Sequence, residues 1–189
     1  MILMGILSTF NVNASDNVLP ASNKTLLVLG DSLSAGYGVN LTQAWVSLLQ
    51  KKLVQAKYPY QVINASVSGE TSAGGLSRLQ ALLERHRPAI VVIELGANDG
   101  LRGLPIASMK ANLKKMIALS QKAKARVLLL GMRMPPNYGP AYTQSFAQAY
   151  MDLAHEQQVA VYDQEDEQIG RNRERDTTRG ESCPAPERR

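Results

Sequence analysis

Short runs of adjacent apolar residues alternate along the chain with longer stretches in which apolar positions recur every three or four residues. The short runs fall at 25–29 (TLLVL), 61–64 (QVIN), 89–95 (AIVVIEL), 126–130 (RVLLL) and 159–162 (VAVY). Their length and branched aliphatic content predict buried strands. Between them, Trp45, Leu48, Leu49 and Leu53 recur at helical spacing, and Leu76, Leu79, Leu82 and Leu83 share one face of a helix over 75–87 that Pro88 stops. Ile106, Met109, Leu113, Met116 and Ile117 mark another helix, and Tyr142, Phe146, Ala149 and Leu153 a further one. The order is βαβαβαβαβ. Strands that are apolar throughout and separated by amphipathic helices predict an α/β fold. Its expected form is a three-layer α/β/α arrangement around a flavodoxin-like, mainly parallel five-stranded sheet.

The two ends depart from this pattern. Residues 1–14 carry Ile2, Leu3, Met4, Ile6 and Leu7, then Val12 and Ala14 at small-residue spacing before Ser15. That is the layout of an export signal, although the basic leading segment is missing, and an irregular terminus is the alternative. From this segment a periplasmic or secreted location is expected. Residues 163–189 hold six Arg and eight Asp or Glu, with Ile169, Cys183 and Ala185 nearly their whole apolar content. Such a stretch buries too little surface to offset its ordering entropy, so a charged, disordered tail is expected, and the folded domain is placed at 24–162.

Composition removes several function classes. A chain of 189 residues with 44% hydrophobic and 20% charged residues suits one globular domain, and it has no apolar run long enough for stable membrane insertion. The net charge of +5 raises the question of a nucleic-acid partner. The Lys and Arg residues, however, are scattered over predicted helix faces without interleaved aromatics, so no nucleic-acid surface is expected. One cysteine and two distant histidines offer little for a metal site, and neither metal nor cofactor is expected.

In a parallel sheet, ligands collect at the carboxyl ends of the strands. Three loops there merit attention. In Gly30-Asp31-Ser32-Leu33-Ser34, Ser32 stands between a buried strand and a helix, where it serves either as an N-cap or as an exposed nucleophile beside outward-facing N–H groups. The segment lacks the Lys and spacing of a phosphate loop, Leu41 spoils a dinucleotide fingerprint, and there is no G-x-S-x-G elbow. The second loop offers Gly69, whose N–H can approach a ligand closely for want of a Cβ. The third offers Asn98, an amide donor or an ordinary turn former. Three loops converging with a nucleophile and two neutral donors outline an oxyanion hole.

Read together, LGDSLSAGYG at 29–38, INASVSGETS at 63–72, ELGANDGLRG at 94–103 and MPPNYG at 134–139 resemble, in order, the blocks of the GDSL or SGNH hydrolases. Within that family they are similar to the small periplasmic bacterial acyl-CoA thioesterase, lysophospholipase and arylesterase type. The resemblance covers about 25–162. It implies Ser32 as nucleophile, the Ser32 N–H, Gly69 N–H and Asn98 side chain as oxyanion hole, and a small acyl ester or thioester as substrate. Asp31, Leu33, Asn137 and Tyr138 are implied as substrate-binding, Asp31 and Asp99 as supportive, and Glu70 stands where relatives usually carry Asp.

The departure lies at the far end. The family closes with a D-x-x-H-P block, which supplies a general base and its orienting Asp, on the way to a final helix. Residues 163–189 contain neither the block nor any histidine. His86 and His155 each precede a strand, which puts them at the amino edge of the sheet, roughly 17 Å from the carboxyl edge for a five-residue strand. Asp163 and Asp166 are the carboxylate alternatives at the correct edge. The expectation is therefore a serine ester hydrolase impaired by a missing base, in a fold lacking its usual last helix through truncation, frameshift or misjoining. A non-catalytic acyl-binding module is the alternative.

Overall fold

The computed structural model describes residues 24–162, and the expectations for 1–14 and 163–189 lie outside them. The elements in chain order are β1 (Lys24–Gly30), α1 (Ser32–Ala35), α2 (Trp45–Gln55), β2 (Tyr60–Asn64), α3 (Ser72–His86), β3 (Ile90–Glu94), α4 (Ala97–Leu101), α5 (Ile106–Lys122), β4 (Arg126–Leu130), a 3-10 turn (Pro136–Tyr138), α6 (Pro140–Gln157) and β5 (Ala160–Tyr162). The five strands form one parallel sheet in the order β2-β1-β3-β4-β5. The expected flavodoxin-like sheet is present. One-turn helices α1 and α4 escape the periodicity because four or five residues are too few to establish a 3.6-residue repeat.

Alternation along each strand sorts the core into two layers. Leu27 and Leu29 of β1, Val91 and Ile93 of β3, and Val127 and Leu129 of β4 face α3, α5 and α6. They meet Leu79, Leu83, Met109, Leu113, Met116, Ile117, Phe146 and Leu153 in the main core. On the opposite face Leu26, Val28 and Val92 pack with Val46 of α2, against which Trp45, Leu49 and Leu53 also lie. Leu48, expected on the buried stripe of α2, is instead exposed. The stripe that docks runs through Trp45, Val46, Leu49 and Leu53, which leaves Leu48 on its flank. Helix α3 ends at His86 before Pro88, because Arg87 adopts a left-handed conformation (φ 42°) and donates its N–H back to the Leu83 carbonyl.

Candidate active site

The carboxyl edge is assembled by bonds that continue past the strands. Beyond β2, the N–H of Ala65 donates to the Val28 carbonyl at 2.9 Å and that of Val67 to the Gly30 carbonyl at 3.0 Å, drawing the second loop along the end of β1. Asn64 Nδ2 donates to the Ser34 carbonyl at 2.7 Å from the same side. The third loop arrives from β3, the central neighbour of β1, with Glu94 paired to Gly30 in the ladder.

Ser32 is not a cap. It is the first residue of α1, and the cap is Asp31, whose Oδ1 accepts the N–H of Leu33 at 3.0 Å. A carboxylate suits that position better than a hydroxyl because it also complements the helix dipole, and its use there leaves the Ser32 hydroxyl free of capping duty. Among the described residues, neither the Ser32 hydroxyl nor the N–H groups of Ser32 and Gly69 make a hydrogen bond. Gly69 adopts φ +77°, a left-handed conformation that glycine tolerates best, and its carbonyl accepts Arg102 Nη2 at 2.9 Å.

Asn98 ties the loops together. Its Nδ2 donates to Asp31 Oδ2 at 3.1 Å and to the Glu70 carbonyl at 2.9 Å, so it bonds the chain neighbours of both Ser32 and Gly69. Asn98 is half-buried and sits in the first turn of α4. The adjacent Asp99 is buried and accepts both the N–H (2.7 Å) and the hydroxyl (2.6 Å) of Ser72. Asn112 of α5 in turn donates to that hydroxyl at 3.0 Å. Asp99 thus anchors α4 to the start of α3, a supportive place.

Asp31 does not match its expected substrate contact. It is 1% exposed, and its two oxygens are occupied by Leu33 N–H and Asn98 Nδ2. The pattern named the residue but not its direction, because a cap points back into its own helix. Leu33 is 62% exposed beside Ser32, and Asn137 and Tyr138 occupy the 3-10 turn after β4 at the same edge, with Tyr138 stacked on Tyr142. Glu70, the position of the departure, is held in a two-pronged ion pair by Arg78 of α3. Its backbone carbonyl, not its side chain, meets Asn98.

The sequence reading passed over Glu94. This carboxyl closes the apolar strand IVVIE, is buried, and accepts the hydroxyl of the fully buried Ser34. Burial pushes its pKa up to about 7, against the lowering pull of the Ser34 hydroxyl, with the negative charge of Asp31 raising it further. Asp31 is raised as well, chiefly by burial, with the Leu33 N–H opposing. The available signal was an acid at the end of a strand whose other residues are all apolar, a position where an unpaired charge is costly.

The histidines lie where the sequence placed them. His86 is the last residue of α3 and His155 is exposed in the last turn of α6, both next to the amino ends of strands. A groove lined by Val54, Tyr58, Pro59 and Tyr60 also opens at that far edge, away from Ser32. Among the described residues no three His, Cys, Asp or Glu side chains cluster as metal ligands, and no helix is long and apolar enough to cross a membrane.

Comparison with known proteins bears on the family and the fold. The sequence pattern of the GDSL-like lipase/acylhydrolase family matches residues 28–181. The chain is 52% identical over 141 residues to esterase TesA of Pseudomonas aeruginosa, covering 75% of this chain and 70% of that protein. It is 44% identical over 156 residues to thioesterase 1/protease 1/lysophospholipase L1 of Escherichia coli K12, covering 82% and 70%. Its fold superposes on the crystal structure of TesA with a TM-score of 0.72, covering 73% of this chain and 77% of the other.

Proposed function

We propose, from the premise that this chain belongs to the GDSL-like lipase/acylhydrolase family, that Ser32 is its nucleophile and that residues 1–189 by themselves turn substrate over slowly, since neither of their two histidines stands at the Ser32 edge of the sheet. By family it is a serine ester hydrolase acting on acyl esters or thioesters. The observation that carries the site reading is the Asn98 amide, bonded at once to the neighbours of Ser32 and Gly69.

In this reading the Ser32 oxygen attacks the acyl carbon, and the carbonyl oxygen becomes an oxyanion held by the N–H groups of Ser32 and Gly69 and one N–H of Asn98. Asn98 turns that N–H away from Asp31 or the Glu70 carbonyl. Collapse expels the alcohol or thiol and leaves acyl-Ser32; water then attacks the acyl carbon and releases the acid. Each attack must shed a proton, and in a Ser-His-Asp site the histidine takes it. Here both histidines belong to the amino edge, and the sequence beyond Tyr162 holds none.

Hydrolysis of a p-nitrophenyl acyl ester tests the reading. Expected is slow turnover that Ser32→Ala removes; a rate near 10 per second, ordinary for an enzyme, refutes the impairment and turns attention to Asp163 and Asp166. Binding of an acyl ligand without any Ser32-dependent turnover would instead establish a non-catalytic acyl-binding module. Export to the periplasm or beyond is part of the same proposal and rests on residues 1–14; a reporter fused after Ala14 that stays in the cytoplasm refutes it.

A further inference from the structure

We infer that Glu94 is a positioning residue for the nucleophile turn, its carboxylate gripping the residues on either side of Ser32 from the end of the neighbouring strand. The inference rests on the reading of Ser32 as nucleophile. Its basis is a contact built into the ladder. Gly30 and Glu94 are register partners of β1 and β3, and from that position the Glu94 carboxylate accepts the Ser34 hydroxyl. The backbone N–H groups of Asp31 and Ser34 also face it. Asp31 and Ser34 bracket Ser32 in the chain, so a single acid restrains the turn on both sides.

The space for this grip exists only because residue 30 is glycine. A Cβ there would stand 2.5 Å from Glu94 Oε2 and 2.6 Å from Ser34 Oγ, closer than real contacts allow. Glu94, Ser34 and Asp31 are all buried. A carboxylate in this place accepts the Ser34 hydroxyl and faces two backbone N–H groups, whereas a carboxylic acid gives up one acceptor and brings a proton of its own. The hold on the turn therefore depends on ionisation. The titratable groups that face Glu94 are Asp31 from the β1–α1 turn and Tyr150 from α6. Neither supplies a positive charge, and burial sets its ionisation near neutrality.

The experiment uses the full chain and a fluorophosphonate reagent, with labelling at Ser32 followed by intact mass from pH 5 to 9. In that reaction the Ser32 oxygen bonds to phosphorus, fluoride leaves, and the hydroxyl proton passes to solvent. The wild-type rate is expected to show an added rise centred near pH 7. Glu94→Gln, which keeps the volume but exchanges one acceptor oxygen for an NH2 donor and cannot ionise, is expected to lower the rate roughly 10- to 100-fold, the size of a misplacement of the nucleophile by about 1 Å, and to erase the rise. Ser34→Ala removes one donor, keeps the carboxylate, and is expected to slow labelling roughly fivefold while the rise persists. A Glu94→Gln chain that labels at the wild-type rate with the wild-type pH profile overturns the inference, and Ser32→Ala as a blank then shows that the nucleophile reading stands. If Ser32→Ala incorporates label as fast as wild type, the nucleophile reading fails and takes this inference with it.

Discussion

The two edges of the sheet are built from the same five strands and differ in almost everything that matters for chemistry. At the carboxyl edge, Asn98 bonds the chain neighbours of Ser32 and Gly69, and three acids, Asp31, Glu94 and Asp99, are buried. At the amino edge lie both histidines, with an open groove between α2 and β2. A parallel sheet gives every βα loop to one edge and every αβ loop to the other, so a residue's place in the chain order decides which edge it serves. Ser32, Gly69 and Asn98 occur after strands; both histidines occur before them. No side-chain movement spans roughly 17 Å of strand.

The strongest way to break this comparison is to supply an imidazole at the carboxyl edge. Joining a D-x-x-H-P segment and a closing helix after Tyr162 is expected to raise p-nitrophenyl ester turnover by several orders of magnitude. Loss of the base from such a unit costs on the order of 10^6, with roughly 10^3 to 10^4 over water remaining. Ser32→Ala in the joined chain should abolish the gain. If the joined chain gains less than tenfold while its fold is intact, the want of an imidazole at that edge is not what limits the wild type.

The buried acids predict a pH effect on stability. The pKa of Glu94 stands at about 7 in the folded state against 4.5 for the ordinary side chain. The folded state therefore holds the proton more tightly than the unfolded one. This stabilisation is full below pH 4.5 and is lost as pH rises through about 7. Wild type should lose about 3 kcal/mol across that window relative to Glu94→Gln. Asp31, raised in the same sense, adds to the loss at the lower end. Urea unfolding of both chains at pH 5 and pH 8 measures it, and parallel stabilities would remove Glu94 as the cause. Stability is thus surrendered over the range where the positioning carboxylate forms.

Two glycines of the same edge sharpen the point. Gly30→Ala should destabilise by about 1–3 kcal/mol, because the new methyl group meets Glu94 and Ser34 in a closed space. Gly103→Ala, with φ +65° and nothing within 4 Å, should cost about 1 kcal/mol from backbone strain alone. Denaturant midpoints compare them, and equal losses would mean that the space beside Gly30 is not tightly filled.

How much of this was legible beforehand follows from what pattern encodes. All five strands and the four long helices were readable, because apolar runs and 3.6-residue stripes are imposed by burial itself. Ser32, Gly69 and Asn98 were readable as loop residues at one edge, and the resemblance in four ordered blocks gave them roles. For Asp31 the resemblance implied both a substrate-binding and a supportive place, and its use as a cap was not readable because its direction depends on the φ and ψ of a one-turn helix. Glu94 went unnoticed because its partners, Ser34 and Gly30, are 60 or more residues away, and only the β1–β3 register brings them together.

The smallest expected effect is the sharpest check on the separation of edges. His86 is half-buried at the end of α3 and His155 exposed near the end of α6, so neither side chain approaches Ser32. If the sheet keeps them from the reaction, His86→Ala and His155→Ala, singly and together, should leave Ser32-dependent ester hydrolysis within twofold of wild type. A proton acceptor must come within about 3 Å of the hydroxyl it serves, or within one bridging water. A tenfold loss in either variant, with Ser32 labelling by a fluorophosphonate reduced in step and folding unchanged, would mean that an imidazole reaches the carboxyl edge. The separation of the two edges would then not hold for the reaction.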